Sequence, residues 1–144
     1  MIQPESTAKG IAMPNLEGVI VTTQDRSRES FDALAPGKVS WFTLISGDLT
    51  TSDRMSAGIM ELEPGGTGLR PHRHNPPEIY HVIAGAGVLT IEHVDTVVGV
   101  GSTAFIPRDA EHSLRNTGEG LLRIFYVFPT DSFAEVVYRY SSAD

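Results

Sequence analysis

The sequence predicts an all-β domain, built as a sandwich or a barrel. From residue 39 onward, short runs rich in β-branched and aromatic residues follow the two-residue period of strands. Gly- and Pro-bearing turns separate these runs, and many short strands joined in this way pack as two facing sheets. The length, 144 residues, suits one domain with a substantial core.

The elements follow in chain order. Residues 1–24 are irregular apart from the apolar run Val19-Ile20-Val21. Asp25 to Ala35 is expected to form one or two helical turns, ended by Pro36-Gly37. Val39 to Ile45 and Met55 to Leu62 read as strands, the second closed by Glu63-Pro64-Gly65-Gly66. Ile79 to Ala84 and Val88 to Val94 flank Gly85-Ala86-Gly87, which reads as a hairpin loop. Thr96 to Val100, Thr103 to Ile106, His112 to Arg115 and Leu121 to Phe128 are further strands, and Val136 to Tyr140 closes the set. The expected division is an extension over 1–38, with a short helix or an exchanged strand, a barrel over 39–140 and a tail over 141–144.

Composition narrows the function. No run of about 18 apolar residues occurs, so no membrane span is expected. Met1 to Leu16 lacks the basic start and apolar stretch of a secretory signal, which makes the cytoplasm the expected compartment. Cysteine is absent, excluding disulfides and thiolate chemistry. The net charge of −7 argues against non-specific binding to nucleic acid. A small-molecule substrate is the expected partner.

Two segments carry the chemistry. The first runs Gly66, His72-Arg73-His74, Glu78, Gly85; the second runs Gly101, Pro107-Arg108-Asp109, His112, Asn116. His72 and His74 are two apart, so on a strand both imidazoles point to one face. Pro76-Pro77 bends the chain, and Glu78 opens the next strand, where its carboxylate can swing back. His112 arrives from a distant strand once the structure closes. Three imidazoles and one carboxylate suit a divalent iron, manganese, cobalt, nickel or zinc ion, with positions open for substrate. His81 has the opposite strand parity to Glu78 and should face away; His93 reads as a surface residue.

The order and spacing of these residues resemble the two motifs of the cupin superfamily over roughly residues 39–140. That resemblance implies a double-stranded β-helix, the jelly-roll barrel, and by the habit of such proteins a homodimer. Asp109 stands where the second motif usually has Gly, and reads as a turn residue with positive φ.

Tyr80 shares the ligand face of its strand, about 6–7 Å beyond Glu78. A phenol is ordinarily too weak a base at neutral pH, with a pKa of about 10, and a nearby dication lowers that value. The plain alternative is a Tyr that only lines the barrel. The stretch His72-Arg73-His74-Asn75-Pro76-Pro77-Glu78-Ile79-Tyr80 is similar to the ligand segment of the bacterial cupins that cleave dimethylsulfoniopropionate, the DMSP lyases. So are Ala110 to Asn116 and the tail Phe128 to Tyr138. This narrower resemblance implies Tyr80 as general base and Tyr138 as a second catalytic tyrosine. The reaction implied is β-elimination, with the substrate carboxylate on the metal and dimethyl sulfide and acrylate as products.

A sulfonium sits well against aromatic faces, and Trp41, Phe42, Tyr126 and Phe128 lie in strands that supply them, as cage, core or subunit interface. Arg70, Arg73 and Arg108 flank the motifs as rim charges. Two rival functions use the same site. One is a cupin dioxygenase or related oxidoreductase, and the other is a non-catalytic small-molecule-binding cupin.

Overall fold

The computed structural model describes residues 16–30 and 38–142. Two antiparallel sheets face one another as a jelly-roll barrel. The strands are β1 (Glu29–Ser30), β2 (Val39–Ile45), β3 (Ser56–Leu62), β4 (Leu69–Arg73), β5 (Glu78–Ala84) and β6 (Ala86–Ile91). They continue with β7 (Val94–Gly99), β8 (Thr103–Ile106), β9 (His112–Asn116), β10 (Leu122–Phe128) and β11 (Arg139–Tyr140). One sheet has the order β1-β2-β3-β10-β5-β8, the other β11-β4-β9-β6-β7.

Strand alternation explains the packing. On β10, Leu122, Ile124, Tyr126 and Phe128 are buried, while Arg123, Phe125 and Val127 between them are less so. The inward set meets Leu62, Val82, Leu89, Ile106 and Leu114 in one core. Truncating a fully buried member such as Leu114 to Ala costs about 2–5 kcal/mol. The outer face of the larger sheet is also apolar. Val127 lies opposite Ile79, which lies opposite Phe105, and Phe42, Ile59 and Phe125 form the row beside them.

Three expectations need correction. The helix expected over Asp25 to Ala35 does not form in its described part. A 3-10 turn, Thr23–Asp25, is instead closed by a capping box in which Thr22 and Asp25 satisfy each other's backbone amides. The chain then extends into β1, where Glu29 pairs with Trp41; residues 31–37 lie outside the described residues.

Gly85-Ala86-Gly87 is not a hairpin loop. Gly85 alone, at φ +82°, carries the chain from one sheet to the other, and β5 and β6 belong to different sheets. The hairpin lies one strand later, between β6 and β7, where Glu92 and His93 both adopt positive φ. Neither residue is Gly or Asn, so that turn carries no sequence signal. The closing strand expected over Val136 to Tyr140 is shortened to β11, after a second capped 3-10 turn, Phe133–Glu135.

Val19 to Val21, the segment with an apolar run, is irregular, and Ile20 is almost fully exposed. No helix among the described residues is long and apolar enough to cross a membrane.

Candidate metal centre

His72, His74, Glu78 and His112 converge at one end of the barrel, and each is 4% exposed or less. Both sheets contribute. His72 and His112 are register partners on β4 and β9, and Glu78 opens β5 on the opposite sheet. A bulge between Leu69 and His72 breaks the alternation of β4. Arg70 and Pro71 therefore both face out, and His72 turns in. His74 sits just past β4, its carbonyl accepting from the Asp109 amide at 3.0 Å. Asp109 takes φ +60°, as expected of a residue in the position of a turn glycine. Pro76-Pro77 then carry the chain across to β5.

The second nitrogen of each ring fixes what the first presents. His72 Nδ1 lies 2.6 Å from the Arg70 carbonyl, His74 Nδ1 2.8 Å from that of Pro76, and His112 Nδ1 2.9 Å from that of Ala110. A carbonyl only accepts, so each Nδ1 carries a proton, and in the neutral ring Nε2 then presents a lone pair inward. The three ligand atoms fall within 4.8 Å of one another. Burial, then the neighbouring His112 and His74 rings, hold His72 down at about 3, so it is neutral at pH 7.

This arrangement calls for a cation. The Nε2 atoms of His72 and His112 are buried without a hydrogen-bond partner. Glu78 Oε1 stands 3.2 Å from His74 Nε2 and 3.4 Å from His112 Nε2. With both imidazoles protonated on Nδ1, those contacts set lone pair against lone pair. A divalent ion among them would relieve that repulsion, and the mixed N/O donor set fits a transition metal. The His72/His74/His112 triad is thus positioned to bind a metal ion; the donors do not select among iron, manganese, cobalt, nickel and zinc.

Both sequence-predicted tyrosines reach this end of the barrel. Tyr80 is buried, its ring 6.1 Å from that of His112. Burial, then the charge of Glu78 and the nearness of Tyr138, hold its phenol well above the ordinary range. The Tyr138 ring lies 5.1 Å from His72 and 5.4 Å from His74, and its phenol is pushed up by the same two leading causes, burial and Glu78. Glu78, Tyr80 and Tyr138 line a small chamber together with Trp41, Met60, Leu69, Tyr126 and Phe133. Its volume is about 20 Å³, room for one water.

Of the four aromatic candidates, Trp41 and Tyr126 turn into the chamber, and Phe128 packs edge-on to His74 at 5.1 Å. Phe42 does not. It lies outside, under the Arg28 guanidinium. Phe133 was not among the candidates, although the tail that bears it was, and it packs on Trp41 and Tyr138. His81 faces away, bonded to Thr103, and His93 is exposed. Arg70 stacks on Tyr140, Arg73 bonds the Asp109 carbonyl and Arg108 bonds Asn75, so none of the three lines the chamber.

Comparison with known proteins agrees with this fold. Residues 58–128 match the family described as cupin domain. The dimethylsulfoniopropionate lyase DddW of Ruegeria pomeroyi is 42% identical over 107 residues, covering 74% of this chain and 69% of that protein. The polyketide cyclase RemF of Streptomyces resistomycificus superposes with a TM-score of 0.73 at 22% identity, over 89% of this chain and 88% of the other. A structure described with the DMSP lyases RdDddP and RnDddQII gives 0.61 at 20% identity, over 72% of this chain and 53% of the other. At such identities the two structures speak for the fold alone.

Proposed function

The chain belongs to the cupin family, and from that premise we propose that it is a metal-dependent carbon–sulfur lyase acting on dimethylsulfoniopropionate. The observation that carries this reading is the juxtaposition of three inward imidazole lone pairs and a carboxylate with two buried tyrosines and an aromatic wall. The extensive likeness to a protein named as a DMSP lyase supports the choice of substrate.

His72, His74, Glu78 and His112 would hold one divalent ion, which as a Lewis acid polarises the substrate carboxylate and acidifies the adjoining C–H. Tyr80, as phenolate, takes that proton. The electron pair forms the carbon–carbon double bond of acrylate, the carbon–sulfur bond breaks, and sulfur leaves with its pair as neutral dimethyl sulfide. The chamber of about 20 Å³ widens to admit the substrate, and before departure the sulfonium rests against the rings of Trp41, Tyr126, Phe133 and Tyr138. Tyr138, with its ring beside His72 and His74, holds the substrate within the same chamber.

Tyr80 must lose a proton to serve. Burial and the Glu78 charge both hold it on, and the second cause is the one a dication beside Glu78 offsets. Burial remains, so turnover rises with pH on the alkaline side.

The test is direct. The protein is loaded in turn with iron, manganese, cobalt, nickel and zinc and given DMSP without oxygen, and headspace dimethyl sulfide and acrylate are measured. Product in the absence of oxygen separates a lyase from a dioxygenase with the same ligands. Tyr80→Phe should keep its metal, lose about 10²–10⁴-fold in kcat and lose the alkaline rise. Silence with every metal, in folded and loaded protein, overturns the lyase, and full turnover of Tyr80→Phe removes Tyr80 as the base.

The homodimer is also our proposal, supported by the apolar outer rows Val127-Ile79-Phe105 and Phe42-Ile59-Phe125. Sedimentation of the protein as a monomer at micromolar concentration would remove it.

A further inference from the structure

A second cavity is lined by Tyr80 but by none of the candidate metal ligands. It fills the seam where β7, the edge of one sheet, meets β8, the edge of the other. Its volume is about 370 Å³ against about 20 Å³ for the metal chamber. Tyr80 is a wall of both spaces. The inner lining is aliphatic (Val82, Leu89, Val98, Leu114, Ile124), with Ser102 and Thr103 toward the β8 edge. No lining side chain is charged. Val94 and Val97, 65% and 80% exposed, border the cavity and mark its mouth to solvent.

Charge decides what such a space accepts. A sulfonium or a carboxylate entering it would lose its hydration without gaining a counter-charge, and that cost is large. An uncharged thioether loses little and buries apolar surface. The proposed elimination makes that change of charge. The sulfur enters the reaction as a cation beside Glu78 and the aromatic rings, and leaves it neutral. Acrylate keeps its carboxylate and belongs with the metal ligands. The chamber as it stands has room for only about one water, so it must widen to take the substrate, and the product must move on before another substrate enters.

We propose that the cavity between β7 and β8 is a second ligand site of the barrel, taking a small uncharged thioether, and that dimethyl sulfide leaves past Tyr80 through it. The lining selects a small uncharged, largely apolar occupant; that this occupant is a thioether comes from the proposed reaction. Its source rests on the lyase reading.

The test separates the two. Zinc-loaded protein carrying ¹³C-labelled Ile, Leu and Val methyl groups is titrated with dimethyl sulfide and followed by NMR. Saturable shifts are expected at Val82, Val98 and Leu114, with or without the metal. Val98→Phe fills the cavity from β7, and Val97→Trp, at an exposed position, narrows its mouth without touching the core. Each should weaken dimethyl sulfide binding at least tenfold. In turnover each should lower kcat several-fold while the first-turnover burst of acrylate keeps its wild-type rate. Absence of saturable shifts, shifts confined to the chamber methyls of Leu69, or undiminished binding by both variants overturns the site. Wild-type kcat in variants that have lost binding overturns the exit path. A protein that makes no dimethyl sulfide with any metal loses the exit path together with the lyase reading, and the titration still decides the site.

Discussion

Acidifying the metal-free protein should unfold it in a way traceable to one imidazole. His72 is fully buried and held at about 3, against an ordinary value of 6.5. As pH falls below 6.5, the unfolded chain takes up a proton at His72 and the folded chain does not, so the unfolded state gains. The stabilisation is complete above pH 6.5 and is lost progressively toward pH 3, where the folded ring protonates too. Each unit corresponds to about 1.4 kcal/mol. Going from about pH 7 to about pH 4.5 crosses two units below 6.5, so His72 alone should remove about 2.7 kcal/mol. The assay is urea unfolding of chelator-treated protein at those two pH values, for wild type and His72→Gln. Other groups titrate in the same window, and taking the difference between the two proteins isolates His72. The variant should lose less stability than wild type by about that amount. Equal losses would mean that burial does not keep His72 neutral, and the account of an inward lone pair available at pH 7 would fall with it.

Two further outcomes follow from the same contacts. Glu78→Gln should raise the stability of the metal-free protein by about 1 kcal/mol, because the new amide donates to an imidazole lone pair where a carboxylate oxygen opposed it. The same change should weaken metal binding at least about tenfold, so calorimetry and metal titration should move in opposite directions; a less stable metal-free variant would contradict the assigned tautomers. Asp109→Gly keeps the left-handed turn and removes the ion pair to Arg139, which is half-exposed and worth at most about 1 kcal/mol. Global stability should barely change while amide exchange in β11 speeds up, and unchanged exchange at Arg139 and Tyr140 would show that the pair does not hold the tail.

The convergence of the candidate ligands was legible because metal chemistry needs particular side chains at particular intervals. His72 and His74 share a face on any strand, and Glu78 follows two prolines that force a change of direction. The strands were legible for a similar reason, since alternation in β10 survives unbroken from Leu122 to Phe128. What escaped was set by backbone geometry and distant contact. The Glu92-His93 turn has positive φ in residues that do not advertise it, whereas Gly85, which does advertise a turn, makes a crossing between sheets. The bulge that re-aims His72 appears only once β4 is laid against β9. Phe133 becomes a chamber wall because a capped 3-10 turn swings it onto Trp41, and a three-residue turn has no period to read.

The tail gives the site its second half, and the contacts show why the ligand motifs alone do not describe it. Arg139 pairs opposite Arg73 and Tyr140 opposite His72, so β11 lies along the strand that bears the first imidazole. Asp109, three residues before His112, holds Arg139, while Glu111 accepts from Ser141 and from Arg73. Both motifs therefore grip the same short strand. Between those grips and the Phe133–Glu135 turn, Tyr138 has little choice but to lie over His72 and His74. The residues that match the cupin domain end at 128. Within that span lie the three candidate imidazoles and Tyr80; beyond it lie Phe133 and Tyr138, which narrow the chamber. On this division the matched span holds the candidate donors together with Tyr80 and Tyr126, and the segment after it adds Phe133 and Tyr138 to the aromatic wall. If the lyase reading holds, exchanging residues 129–140 between cupins should alter turnover of dimethylsulfoniopropionate, measured as headspace dimethyl sulfide, while metal content measured by elemental analysis stays unchanged.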